Sequence, residues 1–408
     1  MTMTDRGATP DLRKLLGFDP TDPAFRADPY AAYERLRETS PVLRTPSFWL
    51  LTRYAECYAV LHDARFGYPE EDPGPNFFMA GFSKQRNFLI FMNPPDHTRM
   101  RRLVREGLSP KVVHALRPYV QAAVNRLLDE ALAGDGTFDL VQSLSHPLPF
   151  GTICELLAVP EDDRGRIYRL AADYLAGIGA SFAITAEQAA KRDQALVELN
   201  EYFGRLARER RREPGQDILT HLVSGHDSGE MSEDELLGTC VLLFVAGHGT
   251  TTNMIGNSVL ALLRHPDQLA RFNSEPDLEA GAVEELLRYD SSTHQSFRIA
   301  REDVDLGGGN VVGKGDQVLV VRGAANRDPA VFADPHRLDL GRTDVRHLTF
   351  AMGHHICLGS ALARMQIRVA LRTLFDRAPG LKLLEDEKDL EYIPSLLQRG
   401  VRRLRVSA

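Results

Sequence analysis

Apolar side chains recur every three to four positions through most of this chain, the spacing that gathers them on one face of a helix. The pattern is clear from Pro29 to Ser40, over residues 53–64, and in VQAAVNRLLDEAL, LPFGTICELLAV and QALVELNEYFGRLARERR between residues 112 and 211. Strand-like text interrupts it twice. PVLRTPSFWLLTRY alternates Pro, Thr and aromatic residues as a hairpin does, and FRIAREDVDL and DQVLVV flank the loop GGGNVVGKG, which predicts a second hairpin. The chain therefore reads as mainly α with a small β-rich lobe. That lobe is drawn from about residues 29–65, 295–322 and 380–408 of a single domain spanning 1–408.

One predicted helix stands apart. Ser232 and Glu235 have the spacing of a capping box and His265-Pro266 ends the pattern, so the helix runs from about Ser232 to Arg264. At 1.5 Å per residue it is roughly 50 Å long, enough to cross the molecule. Its middle, AGHGTTTN at residues 246–253, puts Gly247, Gly249 and three threonines where helix propensity is poor. Each such glycine costs on the order of 1 kcal/mol relative to alanine, so the cluster predicts a local opening that something uses. The stretch from Phe66 to Phe91 is too apolar for a disordered linker and too broken for a regular element; it reads as a loop covering a ligand. YRLAADYLAGIGASFAITAEQAA reads either as a mobile helix pair forming a lid or as a buried hairpin.

Composition narrows the function classes. With 43% hydrophobic and 26% charged residues the chain can bury a substantial core, and a net charge of -7 gives no global reason to bind nucleic acid or an anionic membrane. The N-terminal text has no apolar run of signal-peptide length, and a cytoplasmic protein is expected. The cysteines Cys57, Cys154, Cys240 and Cys357 stand singly, without a CxxC pair, so neither a zinc ribbon nor a disulfide framework is indicated.

Candidate chemistry begins at FAMGHHICLG, residues 350–359, where Cys357 lies behind a glycine turn and before the helical run Ala361–Phe375. Backbone N–H groups and the positive end of a helix dipole both favour an ionised sulfur there, as a metal-binding cysteine requires. Zinc through His354, His355 and Cys357 lacks a fourth ligand at a usual spacing. In MNPPDHTRMRRLVREGLSP, His97 and Arg101 share one helix face four residues apart and can meet one anion, or form part of an arginine-rich solvated face. Glu285 and Arg288 sit at i and i+3 and can form a bidentate pair. The glycine loop at 307–315 approaches a phosphate-binding pattern, but Gly315 stands where Ser or Thr is needed and a strand follows, so a hairpin is expected.

Taken together and in this order, PPDHTRMR, the threonine-bearing central helix, Glu285-x-x-Arg288 and FAMGHHICLG resemble the bacterial soluble cytochrome P-450 family, the haem-thiolate monooxygenases. The resemblance covers nearly the whole chain and implies that family's fold, with the long central helix over a buried haem b (iron protoporphyrin IX). It implies Cys357 as the axial thiolate, the one metal ligand, with Phe350 beside the sulfur and Gly353 and Gly359 allowing the tight loop and close approach to the porphyrin. His97, Arg101, Arg298 and His355 match its propionate partners. Glu285, Arg288 and Arg337 match its structural ion-pair motif. Ala246 and Gly247 match residues against the distal face of the haem, and Thr250 the oxygen-site threonine.

The sequence departs from that family at two places. The residue before Thr250 is commonly acidic there and is Gly249 here, so ordered water is expected to replace the acid of the proton relay. Ala351 stands where glycine is frequent, a change that fits if its φ is negative. By the same resemblance, substrate contacts come from the loop at 66–92, the lid at 170–190, Ser291–Ser296 and the central helix. Named candidates are Phe77, Phe78, Phe88, Phe91, Phe182, Leu243, Ala246, His294, Leu396 and Leu397. They are mainly apolar, which implies a bulky hydrophobic substrate.

No GxGxxG lies between a strand and a helix, so electrons for O2 are expected from a separate ferredoxin and ferredoxin reductase, with Arg99, Arg102 and Arg105 as part of a basic docking face. The expected product is a hydroxylated or epoxidised macrolide, other polyketide or terpenoid, made by a monomer in secondary metabolism. A peroxide-driven or oxidative-coupling haem-thiolate enzyme and a non-catalytic haem-fold binding protein are the competing readings.

Overall fold

In the computed structural model, the described residues are Arg13, Leu16, 18–73, Met79, 81–179 and 184–408. The helix Glu233–Arg264 is the axis of the molecule. Its start is fixed locally: Ser232 Oγ accepts from the Glu235 N–H at 3.2 Å while the Glu235 carboxylate accepts from the Ser232 N–H at 2.8 Å, satisfying two donors that a helix start leaves free. Apolar packing does the rest. Leu236, Cys240, Val241, Phe244, Ile255, Val259 and Leu262 are all buried, and full burial of a Leu or Ile contributes roughly 1.5–3 kcal/mol.

The predicted opening is not a break, because residues 246–253 remain helical. The small residues serve close approach instead: a Cβ on Gly247 would lie 2.8 Å from Ile153 Cδ1 in the neighbouring helix Pro147–Leu156. The Thr250 hydroxyl donates to the Ala246 carbonyl at 3.2 Å, so the side chain finds its acceptor one turn back without breaking the helix.

The main sheet has five strands in the order β1-β2-β8-β5-β3: β1 (Val42–Arg44), β2 (Trp49–Leu51), β3 (Phe66–Gly67), β5 (Gln295–Ala300) and β8 (Gln317–Val321). The β1–β2 hairpin is antiparallel, with Val42 opposite Leu51. β2 runs parallel to β8, with Leu50 opposite Leu319, and β5 is antiparallel to β8, with Phe297 opposite Leu319. Between β5 and β8 a smaller hairpin, β6 (Val304–Asp305) and β7 (Val311–Val312), turns through Gly307, Gly308 and Gly309, all at positive φ. The glycine loop is thus a turn, as its following strand implied. A three-stranded sheet joins β4 (Thr137–Asp139), which lies between two of the predicted helices, to β10 (Arg405–Ser407) and β9 (Lys382–Leu383).

The helix Glu279–Tyr289 carries Glu285 and Arg288, both with fully buried side chains. Arg288 Nε meets Glu285 Oε2 at 2.7 Å and Nη2 meets Oε1 at 2.8 Å. The third guanidinium is not that of Arg337, which is exposed and offers only its carbonyl to Arg288. Arg342 takes the place, with Nε 3.1 Å from Glu285 Oε2. The segment 326–342 bends back on itself, so that Asn326 and Pro335 also give carbonyls to Arg288 and the Asp339 N–H caps Glu285. Sequence order alone does not disclose which arginine of such a meander points inward.

Candidate cofactor site

Cys357 closes a loop whose geometry is set by its own backbone. The Cys357 N–H donates to the Phe350 carbonyl at 2.9 Å, and Gly353–His355 form a single tight turn ending in the Ile356 N–H to Gly353 carbonyl bond. Gly353 has φ +67, and a Cβ there would lie 2.5 Å from the Leu61 carbonyl oxygen. Its positive φ and the helix Tyr54–His62 behind the loop both require glycine there. Gly359 precedes the helix Ser360–Arg377 at φ -82, and a Cβ there would have the Cys357 sulfur 4.0 Å away. Ala351 sits at φ +56, in the left-handed region and contrary to the negative φ expected.

The Cys357 thiol is exposed, whereas Cys57, Cys154 and Cys240 are buried. It has surface to react yet sits deep among protein atoms, and this burial raises its pKa. Opposing that rise are the Gly359 N–H and the charges of Arg322, Arg101 and Arg364. Two of these cations were not singled out from the sequence. Arg322 follows β8 and donates to the carbonyls of Thr349 at 2.7 Å and Gln295 at 3.0 Å; burial holds it down to about 10. Arg364 lies in the helix after the cysteine, paired through both carboxylate oxygens to Glu284.

His97, Arg101, Arg298 and His355 come together, as the propionate assignment requires. The His97 and His355 rings are 4.3 Å apart, and Arg101 donates to the Ile356 carbonyl at 2.6 Å. Arg298 donates to Tyr68 Oη at 2.7 Å and to the carbonyl of Phe297. Burial, then the neighbouring cations, pulls His97 down to about 4 and His355 to about 2. Among the described residues neither Arg101 nor Arg298 has a carboxylate within ion-pair distance. His97 Nδ1 is buried without a hydrogen-bond partner among the described residues. Cations gathered without an anion are costly; a dianionic group seated between them removes that cost, so the residues present fit a haem with its two carboxylates.

The central helix offers a complementary wall. Ala246 is exposed and Leu242, Leu243, Gly249 and Thr250 are half-buried, while Phe244, Val245 and His248 between them are buried. These positions form one stripe at helical spacing, an accessible face on an otherwise enclosed helix. Gly247 is off that stripe, packed on Ile153. A Cβ at Gly249 would meet no heavy atom within 4 Å.

Several expected substrate contacts lie elsewhere. Phe77, Phe78 and Phe182 are outside the described residues. Phe88 is 2% exposed and packs near Tyr174, and Phe91 is buried against Tyr68 and Phe82, so both belong to the core. His294 is neither substrate-facing nor solvated: its ring lies between the hydroxyls of Tyr33, 3.3 Å from Nδ1, and Tyr30, 3.5 Å from Nε2. Leu396 lines a small apolar cavity with Tyr33, Phe48, Gln295 and Val321. Of the basic docking residues, Arg99 is held by Glu235 at 2.5 Å and Arg102 pairs with Glu230 and Glu106. Arg105 alone of the three is exposed without an ion pair among the described residues.

Comparison with known proteins places this geometry. Residues 174–378 match the family model described as Cytochrome P450. The chain is 40% identical over 389 residues to "Cytochrome P450 monooxygenase PikC" of Streptomyces venezuelae, covering 93% of this chain and 91% of that protein. It is 39% identical over 401 residues to "6-deoxyerythronolide B hydroxylase" of Saccharopolyspora erythraea, covering 94% and 96%. Among solved structures it superposes with TM-score 0.86 and 35% identity on P450BioI in complex with hexadec-9Z-enoic acid ligated acyl carrier protein, covering 94% of this chain and 99% of that one.

Proposed function

The chain belongs to the cytochrome P450 family, and on that premise we propose that it is a ferredoxin-dependent monooxygenase hydroxylating or epoxidising a hydrophobic natural product of macrolide, other polyketide or terpenoid type. The observation that carries this reading is the conjunction of one accessible thiol, Cys357, with a cation cluster that has no carboxylate partner among the described residues. The chain has no CxxCH pair for covalent attachment, which supports non-covalent haem b. When bound, a thiolate-ligated haem supplies O2 activation and insertion of one oxygen atom into a C–H or C=C bond.

The chain's own residues do the positioning. Arg101, Arg298, His97 and His355 neutralise and orient the carboxylates, and an anion there raises the two imidazole pKa values from their depressed state. Thr250 holds a hydroxyl on the accessible face of the central helix, where exchange of its Ala246 acceptor for water lets it pass a proton. Gly249 brings no acid, and the open space at its Cα supports delivery through water.

The macrolide and polyketide class rests on the names of the relatives above. Electron delivery by a ferredoxin and its reductase rests on the absence of a dinucleotide motif, with Arg105, which has no ion pair among the described residues, in the proposed docking face. The proposed enzyme is a cytoplasmic monomer; among the described residues no helix is long and apolar enough to cross a membrane. Gly249 also favours a second reading, turnover driven by peroxide, whose oxygen arrives already reduced. The absorption spectrum of the ferrous–carbon monoxide form tests the main proposal: a strongly red-shifted Soret band is expected, lost in Cys357→Ser. Peroxide-supported turnover faster than the ferredoxin system sustains would favour the second.

A further inference from the structure

Tyr68 belongs to no motif of the sequence, yet it closes the cation cluster on the side of β3. Its backbone is fixed first. The Tyr68 N–H donates to Asn93 Oδ1 at 3.0 Å and Asn93 Nδ2 donates back to the Tyr68 carbonyl at 2.8 Å. A Cβ on Gly67 would lie 2.3 Å from Asn93 Oδ1, so glycine is needed for this pairing. The ring is then held by Phe91 at 5.2 Å, Phe82 at 6.4 Å and, perpendicular to it, His355 at 5.3 Å. Tyr68 is 4% exposed, with little freedom to swing away.

Its hydroxyl accepts the 2.7 Å bond from Arg298 Nη1. A phenol that accepts still has its own proton to donate, and the charged groups that act on it, Arg298 and Arg322, have no acceptor to offer. Among the described residues no acceptor takes the Tyr68 proton. A buried hydroxyl with an unspent donor, beside an arginine that has no carboxylate partner among the described residues, points to an anionic acceptor at the same place.

We propose that Tyr68 is a further haem-binding residue, its hydroxyl donating to the carboxylate that Arg298 also holds. The proposal rests on the haem-thiolate reading and adds a neutral donor to a set otherwise made of arginines and histidines. A neutral donor orients a carboxylate without adding charge near Cys357, which a further cation in this position would do.

Tyr68→Phe removes one oxygen and keeps every ring contact, so it separates donation from packing. Haemin-loaded wild type and variant are compared for haem loss to excess apomyoglobin at neutral pH, and for the propionate bending modes in resonance Raman spectra. Loss of a donor to a charged group is expected to speed haem transfer about tenfold or more and to shift one propionate mode. Equal transfer rates and unchanged modes in a variant that folds and loads normally would overturn the proposal and leave Tyr68 a packing residue. Wild-type protein that binds no haemin, or whose ferrous–carbon monoxide band survives Cys357→Ser, overturns the haem-thiolate reading itself, a failure the variant comparison cannot mimic.

Discussion

The guanidinium of Arg364 lies 4.4 Å over the ring of Phe350, the residue whose carbonyl accepts the Cys357 N–H. Glu284 grips that guanidinium at 2.6 and 2.8 Å, and its Oε2 lies 3.2 Å from His347 Nε2. The ligand loop is therefore braced by a charge pair one residue away from the buried Glu285–Arg288 pair, and the two adjacent glutamates of one helix serve two different parts of the fold.

Glu284→Gln is expected to loosen this brace and leave the Arg364 charge less compensated near the sulfur, raising the reduction potential of the loaded protein in spectroelectrochemical titration. Stability should show a matching pH dependence. Burial pushes the Glu284 pKa up, but His347 and Arg364 outweigh it and hold it at about 2, below the ordinary 4.5. A depressed carboxylate stabilises the fold above its unfolded pKa and loses that contribution as pH falls towards the folded value. The advantage of wild type over Glu284→Gln in denaturant melts should therefore be full above about pH 4.5 and vanish towards about pH 2.

Glu285 and the two meander arginines should separate cleanly. Glu285→Ala leaves Arg288 buried and uncompensated and is expected to cost about 3–5 kcal/mol. Arg342→Ala should cost less, because its side chain retains 13% exposure. Arg337→Ala should be within about 0.5 kcal/mol of wild type, since only its carbonyl is used. Chemical denaturation of the set decides the order; a cost at Arg337 equal to that at Arg342 would refute the assignment.

In the cysteine loop, Ala351→Gly should relieve the positive φ and stabilise by up to about 1 kcal/mol, the left-handed penalty less the entropy of glycine. Gly353→Ala should do the opposite, because its Cβ would meet backbone atoms at 2.5 and 2.9 Å. Thermal melts of the two variants should move in opposite directions.

The two glycines of the central helix should also differ. Gly249→Glu finds open space and should gain about 0.5–1 kcal/mol of helix stability, with no rise in product per NADPH if water already serves the proton path. A large rise would show that the missing acid limits turnover. Gly247→Ala is expected to cost about 1–3 kcal/mol through overpacking against Ile153, measured by denaturant unfolding.

Local pattern and chemistry determined a good deal of this protein. The capping box at Ser232 and Glu235, the hairpins, the buried ion pair at i and i+3, and the single cysteine ahead of a helix all depend on near neighbours in sequence, where spacing fixes geometry. What only the tertiary structure decided depends on segments far apart. Whether Arg337 or Arg342 reaches Glu285 was set by the path of the meander, the fate of His294 by two tyrosines from the N-terminal part, and the role of Gly247 by Ile153. Tyr68 is the sharpest case. Its sequence neighbours carry no signal, and it acquires its place in the cation cluster only because Asn93, Arg298 and His355 converge on it from three other stretches of the chain.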